Sequence, residues 1–97
     1  MAILTSYATK IAEYNKIVGT KQHIVKTNKK TYVWINKHKL LFSLDYVTGG
    51  KTGFTEIAKR TLVTTASKNN INLIVVTIKD SDDWNTHKSL YEKIFNN

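Results

Sequence analysis

The chain has 97 residues, near the lower end of what folds as one domain, so a single core is expected. Its 41% hydrophobic and 23% charged residues exclude a disordered tail, and the absence of cysteine excludes disulfides, thiolate zinc sites and cysteine nucleophiles. Fifteen Lys and Arg against seven Asp and Glu give a formal charge of +8, which favours anionic partners without naming one.

The N-terminus, Met1-Ala2-Ile3-Leu4-Thr5-Ser6-Tyr7, carries no basic leader, and no stretch reaches the roughly 20 apolar residues of a membrane span, so a soluble chain is expected. Leu4, Tyr7, Ile11, Tyr14 and Val18 recur at steps of three and four before Gly19, which predicts one or two amphipathic helices over residues 3–18. Residues 21–39 are basic and enclose the β-favouring run Thr31-Tyr32-Val33-Trp34-Ile35, which reads as a short hairpin or extended excursion. Lys39-Leu40-Leu41-Phe42 fits a helical turn, and Thr48-Gly49-Gly50 is punctuation before a strand beginning near Lys51.

Two further strand-like runs, Thr61 to Ala66 and Ile71 to Ile78, flank the polar turn Ser67-Lys68-Asn69-Asn70. The nearly continuous apolar run of the second predicts burial on both of its faces. Asp80-Ser81-Asp82-Asp83 is a helix-start signal, followed by Trp84, His87, Leu90, Tyr91 and Ile94 at helical spacing. No repeat, linker or low-complexity segment is present, and there is no proline.

Gly49-Gly50-Lys51-Thr52-Gly53-Phe54-Thr55 stands at the head of the first long strand. Lys-Thr-Gly there resembles the third signature of serine penicillin-binding proteins and β-lactamases, and the longer segment resembles the D-alanyl-D-alanine carboxypeptidase branch. Ala58, Thr61 to Ser67, Asn72 to Val76 and the Trp84-led helix ending in Ile94-Phe95 are similar to that family in order and spacing. Leu4-Thr5-Ser6-Tyr7-Ala8 and Trp34-Ile35-Asn36-Lys37 look like its approach to the motif. One departure is Lys59, where the family often has glycine.

The resemblance implies roles. Lys51 and Phe54 would be catalytic, Lys51 through electrostatics and proton relay and the Phe54 N–H as half of an oxyanion hole. Thr52, Gly53 and Thr55 would bind substrate: Thr52 by donating to the terminal D-Ala carboxylate, Gly53 by letting substrate lie close, Thr55 as a polar neighbour. The implied reaction is acyl-enzyme cleavage of D-Ala-D-Ala in peptidoglycan stem peptides, trapped by β-lactams, with no cofactor and no metal. The family's Ser-x-x-Lys nucleophile and base are absent: three residues after Ser6, Ser43, Ser67, Ser81 and Ser89 stand Thr9, Tyr46, Asn70, Trp84 and Glu92. A literal Ser-x-Asn, Ser67-Lys68-Asn69, follows the motif instead of preceding it and reads as a solvated turn.

His23, His38 and His87 lack metal spacing and read as surface or half-buried residues. Trp34, Trp84, Tyr7, Tyr14, Tyr32, Tyr46 and Tyr91 read as core rather than as stacking platforms for bases. The lysines at 26, 29, 30, 37 and 39 read as a solvated face able to attract anionic wall polymers.

The expected fold is α+β, an antiparallel meander over 51–56, 61–67 and 71–79 with N- and C-terminal helices packed on it, a partial β-lactamase/transpeptidase-like fold. Residues 1–97 are expected to be one domain, the C-terminal portion of a carboxypeptidase catalytic domain, and the parent to act outside the cytoplasmic membrane. In the family, upstream strands complete the sheet beside residues 71–79. Here that apolar edge invites a homodimer or domain-swapped assembly. The other functional classes are a non-catalytic interaction domain and a small basic nucleic-acid-binding module; no nucleic acid is expected under the carboxypeptidase reading.

Overall fold

β-branched residues and short turns between residues 47 and 78 produce the central sheet. In the computed structural model, which describes residues 1–57 and 59–96, β3 (Val47–Thr55), β4 (Lys59–Lys68) and β5 (Ile71–Ile78) form an antiparallel sheet in the order β3-β4-β5. Before it come α1 (Ala2–Ala8), α2 (Ala12–Val18), the hairpin β1 (Gln22–Lys26) and β2 (Thr31–Ile35), and α3 (Lys39–Ser43); α4 (Asp83–Phe95) follows it. The α+β meander with terminal helices is therefore as the sequence predicts. Its first strand begins at Val47, ahead of the expected start near Lys51, and includes the glycine pair.

Two sharp turns follow from residue choice. Lys68 pairs with Ile71, and the two intervening asparagines both have positive φ, 53° and 66°, as a type I′ hairpin turn requires. Asparagine tolerates this region because its short polar side chain bonds locally. Lys59 pairs with Thr55 and also has a left-handed φ, 57°, at a position where glycine carries no steric penalty. Ala58, one of the residues carrying the family resemblance, lies outside the described residues.

The burial pattern corrects three expectations. Leu62 through Ala66 are all buried, so the strand covered on both faces is the central β4. β5, expected there, is half-buried, because it lies at the sheet's edge. The predicted helical stripe is not the packed face of α1: Leu4 and Tyr7 are exposed, Ile3 is 88% exposed, and Thr5 is the buried residue. Finally, His38 and His87 are buried at 4% and 0% exposure, and Trp34 and Tyr32 are exposed, so these aromatic and histidine residues reverse their expected environments.

The core joins Leu40, Leu41, Val47, Ala66 and Tyr91, with Tyr46, Trp84 and Phe95 packed at its rim. Tyr46 meets Phe95 and Tyr91 edge-on, with centroids 4.8 and 6.0 Å apart. α4 contributes Asp83, His87 and Tyr91, three residues on one face at steps of four. Leu90 and Ile94, expected on that face, are exposed, because hydrogen bonding rather than apolar content orients the helix. Its buried side chains are satisfied: His87 Nδ1 lies 2.7 Å from Thr64 Oγ1, His87 Nε2 lies 2.9 Å from Thr77 Oγ1, and Tyr91 OH lies 2.6 Å from Thr64 Oγ1.

Burial pushes the His87 pKa down to about 4, because a charged imidazole there would lose its water. In the unfolded chain His87 takes up a proton near pH 6.5, so its contribution to stability is present above that value and is lost as pH falls towards 4. Denaturation with urea at pH 7 and pH 4.5 should show a loss of about 2–3 kcal/mol from this group. His87→Gln should remove most of that pH dependence. The left-handed Lys59 gives a second expectation. Lys59→Gly should stabilise the fold by about 0.5–1 kcal/mol, read as a melting point a few degrees higher, because the relief of strain exceeds glycine's extra entropy.

Candidate functional site

The glycine pair in front of Lys51 is required by close approach. A Cβ on Gly50 would lie 2.0 Å from the Val63 carbonyl, and one on Gly49 would lie 2.4 Å from Val18 Cγ2. The register also shifts between Val47 and Gly49, a bulge that bends the strand before it reaches Lys51.

This bend is held from behind by His38, the N-cap of α3. Its Nδ1 accepts from the Leu41 N–H at 3.2 Å, so the ring carries its proton on Nε2 and donates it to the Gly49 carbonyl at 3.0 Å. Burial lowers the His38 pKa, keeping the ring neutral for this paired role. Asn36 ties the same region to the end of α2: its amide donates to the Thr20 carbonyl at 2.9 Å and to the Val18 carbonyl at 3.4 Å, and its oxygen accepts from the His38 N–H at 2.9 Å. Asn36 falls in the Trp34-Ile35-Asn36-Lys37 stretch that resembles the family, without a role read for it, and His38 is part of no motif in the sequence. The available signals were Asn36 two residues before His38, the spacing of an Asx turn, and His38 before the helical run Lys39–Ser43.

The structure brings Lys51, Thr52, Gly53, Phe54 and Thr55 together along the outer half of β3, because they are consecutive there. Among the described residues β3 pairs only with β4, so its other edge is open to an added extended segment. Lys51 is exposed and its ammonium donates to the Thr52 carbonyl at 2.7 Å. Thr52 is half-buried, while Gly53, Phe54 and Thr55 are exposed, Phe54 at 67%. A Cβ on Gly53 would lie 2.6 Å from Thr61 Oγ1, so a larger residue here would require that side chain to move.

Beside this strand lies a cleft of about 480 Å³ lined by Lys37, Lys39, Thr52, Phe54, Arg60 and Asp83, among others. Asp83 is not a free counter-charge in it: Arg60 grips its carboxylate through Nη2 at 2.8 Å and Nε at 3.1 Å. That contact holds the Arg60 guanidinium above its usual pKa. Among the described residues Lys37 and Lys39, which also line the cleft, make no salt bridge, an arrangement suited to a carboxylate. Ser67-Lys68-Asn69 lies elsewhere. Ser67 is four residues along β4 from Val63, the partner of Lys51, which places it about 13 Å away, where the strand enters the exposed turn.

The chain superposes on a Mycobacterium tuberculosis D-alanyl-D-alanine carboxypeptidase with a TM-score of 0.86 at 19% identity, covering 98% of this chain and 38% of that one. A mutant of a Streptomyces DD-transpeptidase gives 0.79 at 28% identity, with 98% and 38% coverage. A penicillin-binding protein homologue from M. tuberculosis gives 0.71 at 21% identity over 78% of this chain and 29% of that one. The chain thus spans under two-fifths of the length of these structures. Comparison with curated sequences gave no match. The family model described as D-alanyl-D-alanine carboxypeptidase matches residues 1–82. By that match, spanning most of the sequence from the first helix through the whole sheet, the chain belongs to the D-alanyl-D-alanine carboxypeptidase family.

Proposed function

We propose that β3 is the carboxylate-binding and oxyanion-stabilising side of a D-Ala-D-Ala peptidase site, and that this chain is the C-terminal portion of such a catalytic domain. The observation that carries this reading is the edge of β3 along Lys51-Thr52-Gly53, which among the described residues no strand covers, beside a cleft lined by Lys37 and Lys39. A stem peptide would add to this edge as an extended strand. Lys51 and the Thr52 hydroxyl would hold the terminal carboxylate by charge-assisted hydrogen bonds, and the Phe54 N–H would donate to the oxygen that becomes anionic on attack. Thr55 would be a polar neighbour at the far end. The attacking serine and its lysine base are supplied by residues outside this sequence, which has no Ser-x-x-Lys. The setting implied is outside the cytoplasmic membrane, where peptidoglycan lies.

Titration with N-acetyl-D-Ala-D-Ala, followed by amide NMR, should shift Thr52, Gly53 and Phe54. Lys51→Met and Thr52→Val should each weaken binding, Lys51→Met by about tenfold or more, the loss of a charged hydrogen bond. The intact mass after incubation with a β-lactam should be unchanged. Absence of the NMR shifts would refute the binding role of the strand, and a covalent adduct would refute the assignment of the nucleophile to other residues.

A second reading concerns assembly, and the opposite edge of the sheet favours it. β5 contains neither proline nor charge among its eight residues, so it lacks the usual protection against edge pairing. α1 lies against β5, but among the described residues no strand pairs with its outer edge. We propose that two copies pair there, directly or by exchanging a segment. Sedimentation equilibrium should show a concentration-dependent dimer, dissociated by Ile71→Lys with Ile78→Lys, two exposed positions at the strand's ends. A monomer at every concentration would exclude it.

A further inference from the structure

The β1–β2 hairpin is an unusual element for a small domain. Its register puts His23, Val25, Tyr32 and Trp34 on one face and Ile24, Val33 and Ile35 on the other. Both faces are exposed: Trp34 at 56% and Ile35 at 65% represent the two. A two-stranded ribbon with no core behind it is marginal in water. The radius of gyration, 14.7 Å, exceeds the about 12.5 Å expected for a chain this long, in keeping with an element that projects from the body, and only at its base do Trp34 and Ile35 line a cavity with Glu13, Lys16 and Ile17 of α2.

The charge of the hairpin and its flanks is one-sided, the nearest acidic side chain at its base being Glu13 of α2. From residue 14 to residue 44 the chain has lysine at 16, 21, 26, 29, 30, 37 and 39 and no Asp or Glu. The tip is pre-ordered rather than loose: the Thr27 hydroxyl accepts from the Lys30 N–H at 3.1 Å, and the Thr27 N–H donates to the Lys30 carbonyl at 2.8 Å. Lys30 Nζ lies 5.3 Å from the Tyr32 ring centre, and Tyr32 and His23 lie 6.1 and 6.2 Å from Trp34. Aromatic side chains with a polar edge, flanked by lysines, match the boundary between lipid headgroups and acyl chains.

We propose that this hairpin docks the protein on an anionic phospholipid bilayer, its long axis in the interfacial plane and one strand edge turned towards the acyl chains, so that Trp34 and Tyr32 of one face and Ile35 of the other lie at headgroup depth. A polar tip argues against end-on insertion, and lysine stems long enough to reach phosphates while their carbons stay apolar suit a ribbon that lies along the interface on its edge. A stacking polymer such as single-stranded nucleic acid would use the aromatic face and leave Ile24, Val33 and Ile35 in water. A bilayer interface, acting as a solvent, accounts for apolar residues on both faces and for the excess of positive charge. The inference does not depend on the peptidase reading of β3.

Trp84→Phe leaves Trp34 as the sole tryptophan. With vesicles of phosphatidylglycerol mixed into phosphatidylcholine, that variant should co-sediment and its emission should shift to the blue. Pure phosphatidylcholine vesicles should bind it at least about tenfold more weakly, and Lys29→Gln with Lys30→Gln should lower affinity for the anionic vesicles by about tenfold or more. The wild-type chain should co-sediment equally, which checks that the tryptophan change has not altered the fold. No binding to anionic vesicles overturns the proposal. Binding without a change at Trp34 overturns it in favour of another surface. Equal affinity for soluble polyphosphate or an oligonucleotide overturns the bilayer in favour of an anionic polymer.

Discussion

The hydrogen-bonded contact between α4 and β4 governs this fold. Thr64, at the centre of the most buried strand, meets both His87 and Tyr91, and His87 reaches across to Thr77 on β5. An apolar stripe alone would let a helix roll over a sheet, since hydrophobic burial has little directionality. These bonds fix the rotation of α4, and they explain why Leu90 and Ile94 are left towards solvent while two polar rings are buried. Every buried side-chain nitrogen and oxygen among the described residues has a partner, so the polar interior is not left with a desolvation penalty. The same helix starts at Asp83, which Arg60 grips from the first residues of β4. One helix therefore fixes both the middle of the sheet and the end nearest the cleft.

The opposite side of β3 is fixed by backbone-directed bonds. His38 donates to Gly49, Asn36 joins the His38 segment to Thr20, and Gly49 admits Val18 against the strand. α2, the base of the hairpin, α3 and the bulge in β3 are thus linked through a few polar contacts. The strand carrying Lys51 enters the cleft at an angle set by this linkage, and its position does not rest on the flexible lysine itself.

How much of this the sequence disclosed depends on whether the information is local. The turn residues Asn69 and Asn70 and the strand runs are local and read correctly as an antiparallel meander followed by a helix, whereas Gly49-Gly50, read as a break before the strand, lies inside β3 as a bulge. The Lys51 to Thr55 segment was legible because it is contiguous and its order resembles a known family. Burial was less legible, since it depends on which strand is central. β5 has the more continuous apolar run, but β4 lies between two neighbours and is the strand whose Thr64 and Thr65 are buried. A threonine pattern looks half-exposed until its hydroxyl partners, here supplied by residues 16 to 27 positions away, are known.

The histidines show the same limit in sharper form. Spacing rules out a local metal motif, but it does not show what a ring meets after folding. His23 lies on an exposed hairpin face, whereas His38 and His87 become neutral hydrogen-bonding links inside the protein. Lys59 shows how local and non-local demands conflict: the backbone between β3 and β4 takes a left-handed turn there despite the side chain. Pairing along the whole of β3 and β4 outweighs a penalty of about 1 kcal/mol at one residue. A departure from the family pattern at Lys59 therefore strains the turn locally while leaving the Lys51–Thr55 register on β4 intact, since that register is set by eight paired positions and by the glycine contact with Val63.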